Sequence, residues 1–95
     1  MKRTLCVENL DQDVSADTLL TVFGSFGTIG GISIVVDQET GRSRGFGYVE
    51  MEDGGDLAIA ALAGTELWGR QLVVTEATQS FNDLMSIHSG EREYE

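Results

Sequence analysis

The sequence predicts an α+β domain built in the order strand, helix, strand, strand, helix, strand. Three observations carry this reading. Four short apolar or alternating runs, residues 5–10, 29–36, 44–51 and 72–76, have the length and pattern of strands. Two stretches, residues 19–26 and 57–63, repeat apolar side chains at helical spacing. Acidic and glycine-rich turns separate the six, which gives the split βαβ arrangement.

Each element has its own justification. The first apolar run is closed by Asp11-Gln12-Asp13, as a strand would be. Ser15 is placed to cap the first helix, Asp17 lies in its first turn, and Val14 and Leu19 have the spacing of a hydrophobic staple. Leu19, Leu20, Val22, Phe23 and Phe26 form the apolar stripe, with Gly27 as a natural stop. In the second strand Ile32, Ile34 and Val36 share a face, and Asp37-Gln38-Glu39-Thr40-Gly41 is a loop.

The third strand is Arg44-Gly45-Phe46-Gly47-Tyr48-Val49-Glu50-Met51. Side chains alternate along a strand, so Arg44, Phe46, Tyr48 and Glu50 share one side while Val49 and Met51 enter the core. Asp53-Gly54-Gly55-Asp56 reads as a helix start with Asp53 at the cap. Ala58, Ile59 and Leu62 then face the core, Leu57, Ala60 and Ala61 make an uncharged outer face, and Gly64 ends the helix. A turn through Trp68-Gly69-Arg70 leads into the last strand, residues 72–76, where the lone Trp68 is expected to cover core. The domain is expected to span residues 1–77. Residues 78–95 read as an acidic tail in which Ser80 can cap a short helix at 80–89, with Phe81, Leu84, Met85 and His88 along one side.

Composition narrows the function classes. The 95 residues suit one small domain with a single core, and 41% hydrophobic and 23% charged residues are ordinary for a globular chain. No apolar run approaches membrane-spanning length, and Met1-Lys2-Arg3-Thr4 lacks the apolar stretch of a signal peptide. Cys6 is the single cysteine, so no internal disulfide forms and no Cys/His cluster offers a metal site. The expectation is a cytoplasmic protein in a reducing setting, without metal, cofactor or membrane contact. His88 has no nucleophile or acid arranged beside it, which argues against catalysis.

The third strand and its surroundings resemble the RNA-recognition motif family. Its octamer is written K/R-G-F/Y-G/A-F-V-x-F/Y; Arg44, Gly45, Phe46, Gly47 and Val49 match, Tyr48 is a conservative swap, and Met51 departs. Leu5, Val7, Asn9 and Leu10 match the family's hexamer. Gly41-Arg42-Ser43-Arg44, Ala58-Ile59, Leu62, Gly64 and Gly69-Arg70 also sit where such domains keep them. The run from Leu67 to Ala77 looks like the ending of small single-domain bacterial members. The resemblance covers residues 2–77. It implies a ferredoxin-like βαββαβ sandwich, a four-stranded antiparallel sheet with hexamer and octamer central and both helices on one face.

By the same resemblance, Phe46 and Tyr48 become stacking platforms for bases and Arg44 a phosphate or base contact. Arg42 and Arg70 gather at the end of the sheet where the octamer strand starts. The hexamer position normally held by a third aromatic is Cys6 here. Stacking contributes roughly 1–3 kcal/mol per base, so the loss of one ring weakens binding. Sixteen acidic against six basic residues, net charge −10, also oppose a polyanion. The expected function is therefore weak binding of single-stranded RNA on the sheet. The alternative is a protein-interaction module using the second helix face, or a sheet covered by the tail. An enzyme on this scaffold, such as an acylphosphatase-like fold, needs an anion-binding arginine after the first strand, where Asp11-Gln12-Asp13 has the opposite charge.

Overall fold

A computed structural model describes residues 1–87 of the chain. Its elements are β1 (Arg3–Glu8), α1 (Ala16–Gly24), β2 (Ile29–Val36), β3 (Ser43–Met51), α2 (Gly55–Leu62), β4 (Glu66–Leu67), β5 (Arg70–Gln71), β6 (Val73–Glu76) and α3 (Phe81–Ile87). Four strands form one antiparallel sheet in the order β2-β3-β1-β6, and β4 pairs with β5 in a separate hairpin. This is the ferredoxin-like α+β arrangement expected from the element order.

Alternation on the central strands builds the main core. Leu5 and Val7 of β1 and Val49 and Met51 of β3 are fully buried, together with Leu19 and Phe23 of α1 and Ala58 of α2. Ile59 and Leu62 pack against this cluster, while Leu57 stays 64% exposed on the far side of α2. Both α1 and α2 therefore cover one face of the sheet.

Local chemistry fixes the helix ends. Ser15 is the N-cap of α1 and accepts a hydrogen bond from the Thr18 amide at 3.2 Å, and the staple residues Val14 and Leu19 are both buried. The helix ends at Gly24, before the expected stop at Gly27. At α2 the expected acidic cap is absent. The N-cap is Gly54, at φ +76°, and Asp53 Oδ1 instead accepts from the Thr28 amide at 2.9 Å, tying the entry of β2 to the exit of β3. A Cβ on Gly54 would lie 2.0 Å from the Phe26 carbonyl oxygen, so backbone packing here outranks capping.

The segment before the last strand also differs from expectation. Residues 66–71 form a tight hairpin whose central pair, Trp68 at φ +54° and Gly69 at φ +83°, adopts the left-handed conformations of a two-residue turn. Trp68 is consequently 53% exposed at the hairpin tip rather than laid over the core. Leu72 performs the covering role, buried between the hairpin and β6.

Two glycines separate backbone strain from steric contact. Gly64 has φ +84° with open space around its Cβ position, whereas Gly54 has both positive φ and a blocked position. Gly64→Ala should cost about 1 kcal/mol from conformation alone, and Gly54→Ala clearly more, about 2 kcal/mol or above. Urea denaturation of the two variants measures the difference, and equal losses would mean that the contact with Phe26 relaxes freely.

Candidate nucleic-acid interface

The sheet face opposite α1 and α2 carries the candidate site, and strand register arranges it. Across the β1–β3 pair, Cys6 lies opposite Tyr48 and Glu8 opposite Phe46. On β2, Ser33 is opposite Tyr48 and Gly31 opposite Glu50, and on β6, Val73 is opposite Glu8. The Phe46 and Tyr48 rings stand edge to face, with centroids 6.1 Å apart and planes at 90°. Perpendicular rings offer two separate platforms rather than one flat floor, so each would take its own base.

The glycines beside these rings have structural work. Gly47 is buried, and a Cβ there would lie 2.4 Å from the Ser33 carbonyl oxygen, so the residue lets β2 approach the centre of β3. Gly45 holds φ +85°, and its carbonyl accepts from the Leu10 amide at 2.8 Å, linking the start of β3 to the end of β1.

Three arginines collect at that end. Arg42 and Arg44 are exposed at the entry of β3. Arg70 reaches Asn9, with Nη2 donating to Asn9 Oδ1 at 2.8 Å and Nε to its carbonyl at 3.3 Å. Asn9 occupies the left-handed region, φ +64°, and its Nδ2 donates to the Gln71 carbonyl at 2.8 Å. This fixes the β4–β5 hairpin beside the sheet. The cations at the opposite end are neutralised: Lys2 Nζ lies 3.9 Å from Glu50, and Arg3 bonds Asp56 at 2.6 Å and Glu76 at 2.7 Å. Arg42, Arg44 and Arg70 thus gather at the end of the face that holds Phe46, where Glu8 is also exposed beside the ring.

The two expected platforms are unequal. Phe46 is half-buried, but Tyr48 is only 9% exposed, because α3 lies across it. Val35, Tyr48, Phe81 and Leu84 form a second apolar cluster on this face, with Cys6, Phe46, Ala77 and Met85 packed at its edge. Ser80 caps α3 by accepting from the Asp83 amide at 3.1 Å. The Phe81 ring seats on Gly31, where a Cβ would come within 2.9 Å of it. The expectation of two exposed rings thus holds for Phe46 in part and not for Tyr48. In the sequence, an outward glycine within a strand is the available signal for such a close approach. His88 and the acids Glu91, Glu93 and Glu95 lie outside the described residues.

Cys6 is half-buried beneath this cluster, and burial first, then the nearby Glu8 charge, raise its thiol pKa above the ordinary value. Among the described residues no group of His, Cys, Asp and Glu is arranged to hold a metal ion, and no helix is long and apolar enough to cross a membrane.

The family model described as RNA recognition motif matches residues 5–73. The chain belongs to that family. Membership supports the expectation of a binding module rather than an enzyme. As an RNA recognition motif domain it is 45% identical over 76 residues to RbpE of Nostoc sp. (strain PCC 7120), a cyanobacterial protein whose name proposes an RNA-binding role, covering 78% of this chain and 77% of that one. RbpA of Synechocystis sp. (strain PCC 6803), named in the same way, is 43% identical over 76 residues, with 78% and 75% covered. The crystal structure of RNA Binding Protein PG1 superposes with a TM-score of 0.80 at 39% identity, covering 82% of this chain and 96% of that one. A Sex-lethal protein/RNA complex superposes with a TM-score of 0.75 at 34% identity, covering 79% of this chain and 47% of that one. The resemblance to small bacterial members agrees with these cyanobacterial relatives.

The raised pKa makes Cys6 a slow thiol. Its alkylation by iodoacetamide should show a pH midpoint above that of a free cysteine, because the thiolate is disfavoured by desolvation. Comparing the pH–rate profile with that of the urea-unfolded chain tests this, and coincident midpoints would contradict it.

Proposed function

We propose that this domain binds single-stranded RNA on the outer face of its sheet, with Phe46 as the principal stacking ring and Arg42, Arg44 and Arg70 beside it. The observation that carries the reading is Phe46 itself, a partly exposed aromatic on a central strand, at the end of the sheet where Arg42, Arg44 and Arg70 gather. A base has a flat face that stacks on such a ring whatever its sequence, while the arginines hold the backbone. Family membership and the RNA-binding names of its relatives support the same class of ligand. Cys6 and Tyr48 lie deeper on the same face and complete the proposed surface.

Affinity is expected to be modest. The hexamer ring is replaced by Cys6, and the net charge of −10 repels a polyanion outside the arginine end. The competing reading, protein contact through the outer face of α2, is favoured by exposed Leu57 with Ala60 and Ala61 beside it. Titration of the isotope-labelled chain with a randomised RNA octamer separates the two, since the RNA reading requires shifts on β1 and β3 and none on α2.

Phe46→Ala should weaken binding of that octamer by about 1–3 kcal/mol while leaving the thermal melt intact. Unchanged affinity would refute the assignment. Three arginines neutralise two or three phosphates, so log K should fall against log salt with a slope near −2. A slope as steep as about −6 would locate the contacts elsewhere.

A further inference from the structure

We propose that α3 is a cover built into the chain, which closes the inner half of the RNA-binding face and must leave before Tyr48 can stack on a base. The proposal rests on the RNA-binding reading above and adds its regulation. Three features of the molecule converge on it. Phe81 and Leu84 are 9% and 5% exposed, yet no part of the helical core touches them; what buries them is the sheet face, through Val35 and Tyr48. The face is shaped for the helix, because β2 presents Gly31 where Phe81 sits and any side chain there would collide with the ring. The helix is also locally specified, with Ser80 capping it and the Leu84 amide bonded to the Ser80 carbonyl at 3.0 Å.

The cover divides the face unequally. Val35, Ser33 and Tyr48 are closed off, whereas Phe46, Glu8, Val73 and the arginine end remain partly or fully exposed. RNA can therefore engage Phe46 with the cover closed and gain the Tyr48 platform only when α3 lifts. Observed affinity is then the population-weighted sum of a weaker closed-state affinity, through Phe46 alone, and a stronger open-state affinity. Because cover and site belong to one chain, closure is independent of protein concentration.

The full-length chain carrying Phe81→Ser and Leu84→Ser tests this with a fluorescent randomised RNA octamer. Neither residue belongs to the proposed RNA contacts. The doubly substituted chain should bind about three- to tenfold more tightly than the parent, and Cys6, at the edge of the covered cluster, should be alkylated faster. In the parent chain, saturating RNA should speed amide hydrogen exchange across residues 81–87, a measurement that stands even if the variant fails to fold. Should the parent bind through Phe46 while α3 stays protected at saturation and the folded variant gains nothing, the cover is refuted and RNA binding stands. Absence of binding by both chains would overturn both readings.

Discussion

Everything in this domain depends on the register of β1 against β3. With Leu5 opposite Val49 and Cys6 opposite Tyr48, the two central strands send their aliphatic side chains to one face and the octamer rings to the other. A slip of one residue would expose Val49 and Met51 and drive Tyr48 into the helical core, so folding and display of the site are selected together. The hydrogen bond from the Leu10 amide to the Gly45 carbonyl, and the left-handed Asn9 that precedes it, close the pair at the arginine end. The same Asn9 holds Arg70. A structural turn and a candidate phosphate contact therefore share one residue, and the position of the positive charge follows from the strand pairing.

Net charge describes this molecule poorly. The sum of −10 would argue against any polyanionic ligand if charge acted at long range. At physiological salt the Debye length is about 8 Å, shorter than the 35 Å long axis of the described domain, so what a nucleotide meets is local. Lys2 and Arg3 are paired with Glu50, Asp56 and Glu76, whereas Arg42, Arg44 and Arg70 gather at the other end and give the face a direction along the sheet. Exposed pairs of this kind add little to stability. Their more useful effect is to make one end of the face favourable and the other neutral.

Much of this was legible in the sequence, and the reasons are local. The alternation from Arg44 to Met51, the Ser15 cap and the apolar stripe of α1 each depend on residues close together in the chain, where periodicity and capping rules apply directly. The failures are contacts between distant segments. Asp53 looked like a helix cap because its partner, the Thr28 amide, lies 25 positions away. Trp68 looked like a core cover because its left-handed backbone, which turns it outward in the hairpin, leaves no apolar signature. The site residues follow the same division: Arg44, Phe46 and Tyr48 were placed on one face by alternation, but the burial of Tyr48 required knowing that Phe81 meets Gly31 across the sheet.

That last contact ties secondary structure to accessibility. A helix of seven residues is too short to persist alone in water, so α3 depends on the sheet that holds Phe81 and Leu84. Burial of those two side chains and the helix's own hydrogen bonds favour the closed state, and the conformational entropy of ordering the segment opposes it. Lifting the helix and melting it are then one transition. A base competing for Tyr48 does not have to displace a rigid element; it has to stabilise the open chain by a little more than the closed contact does. Tenfold in apparent affinity corresponds to about 1.4 kcal/mol, well within what one stacked base supplies. The marginal stability of so short a helix is what makes the face beneath it available to a ligand at all.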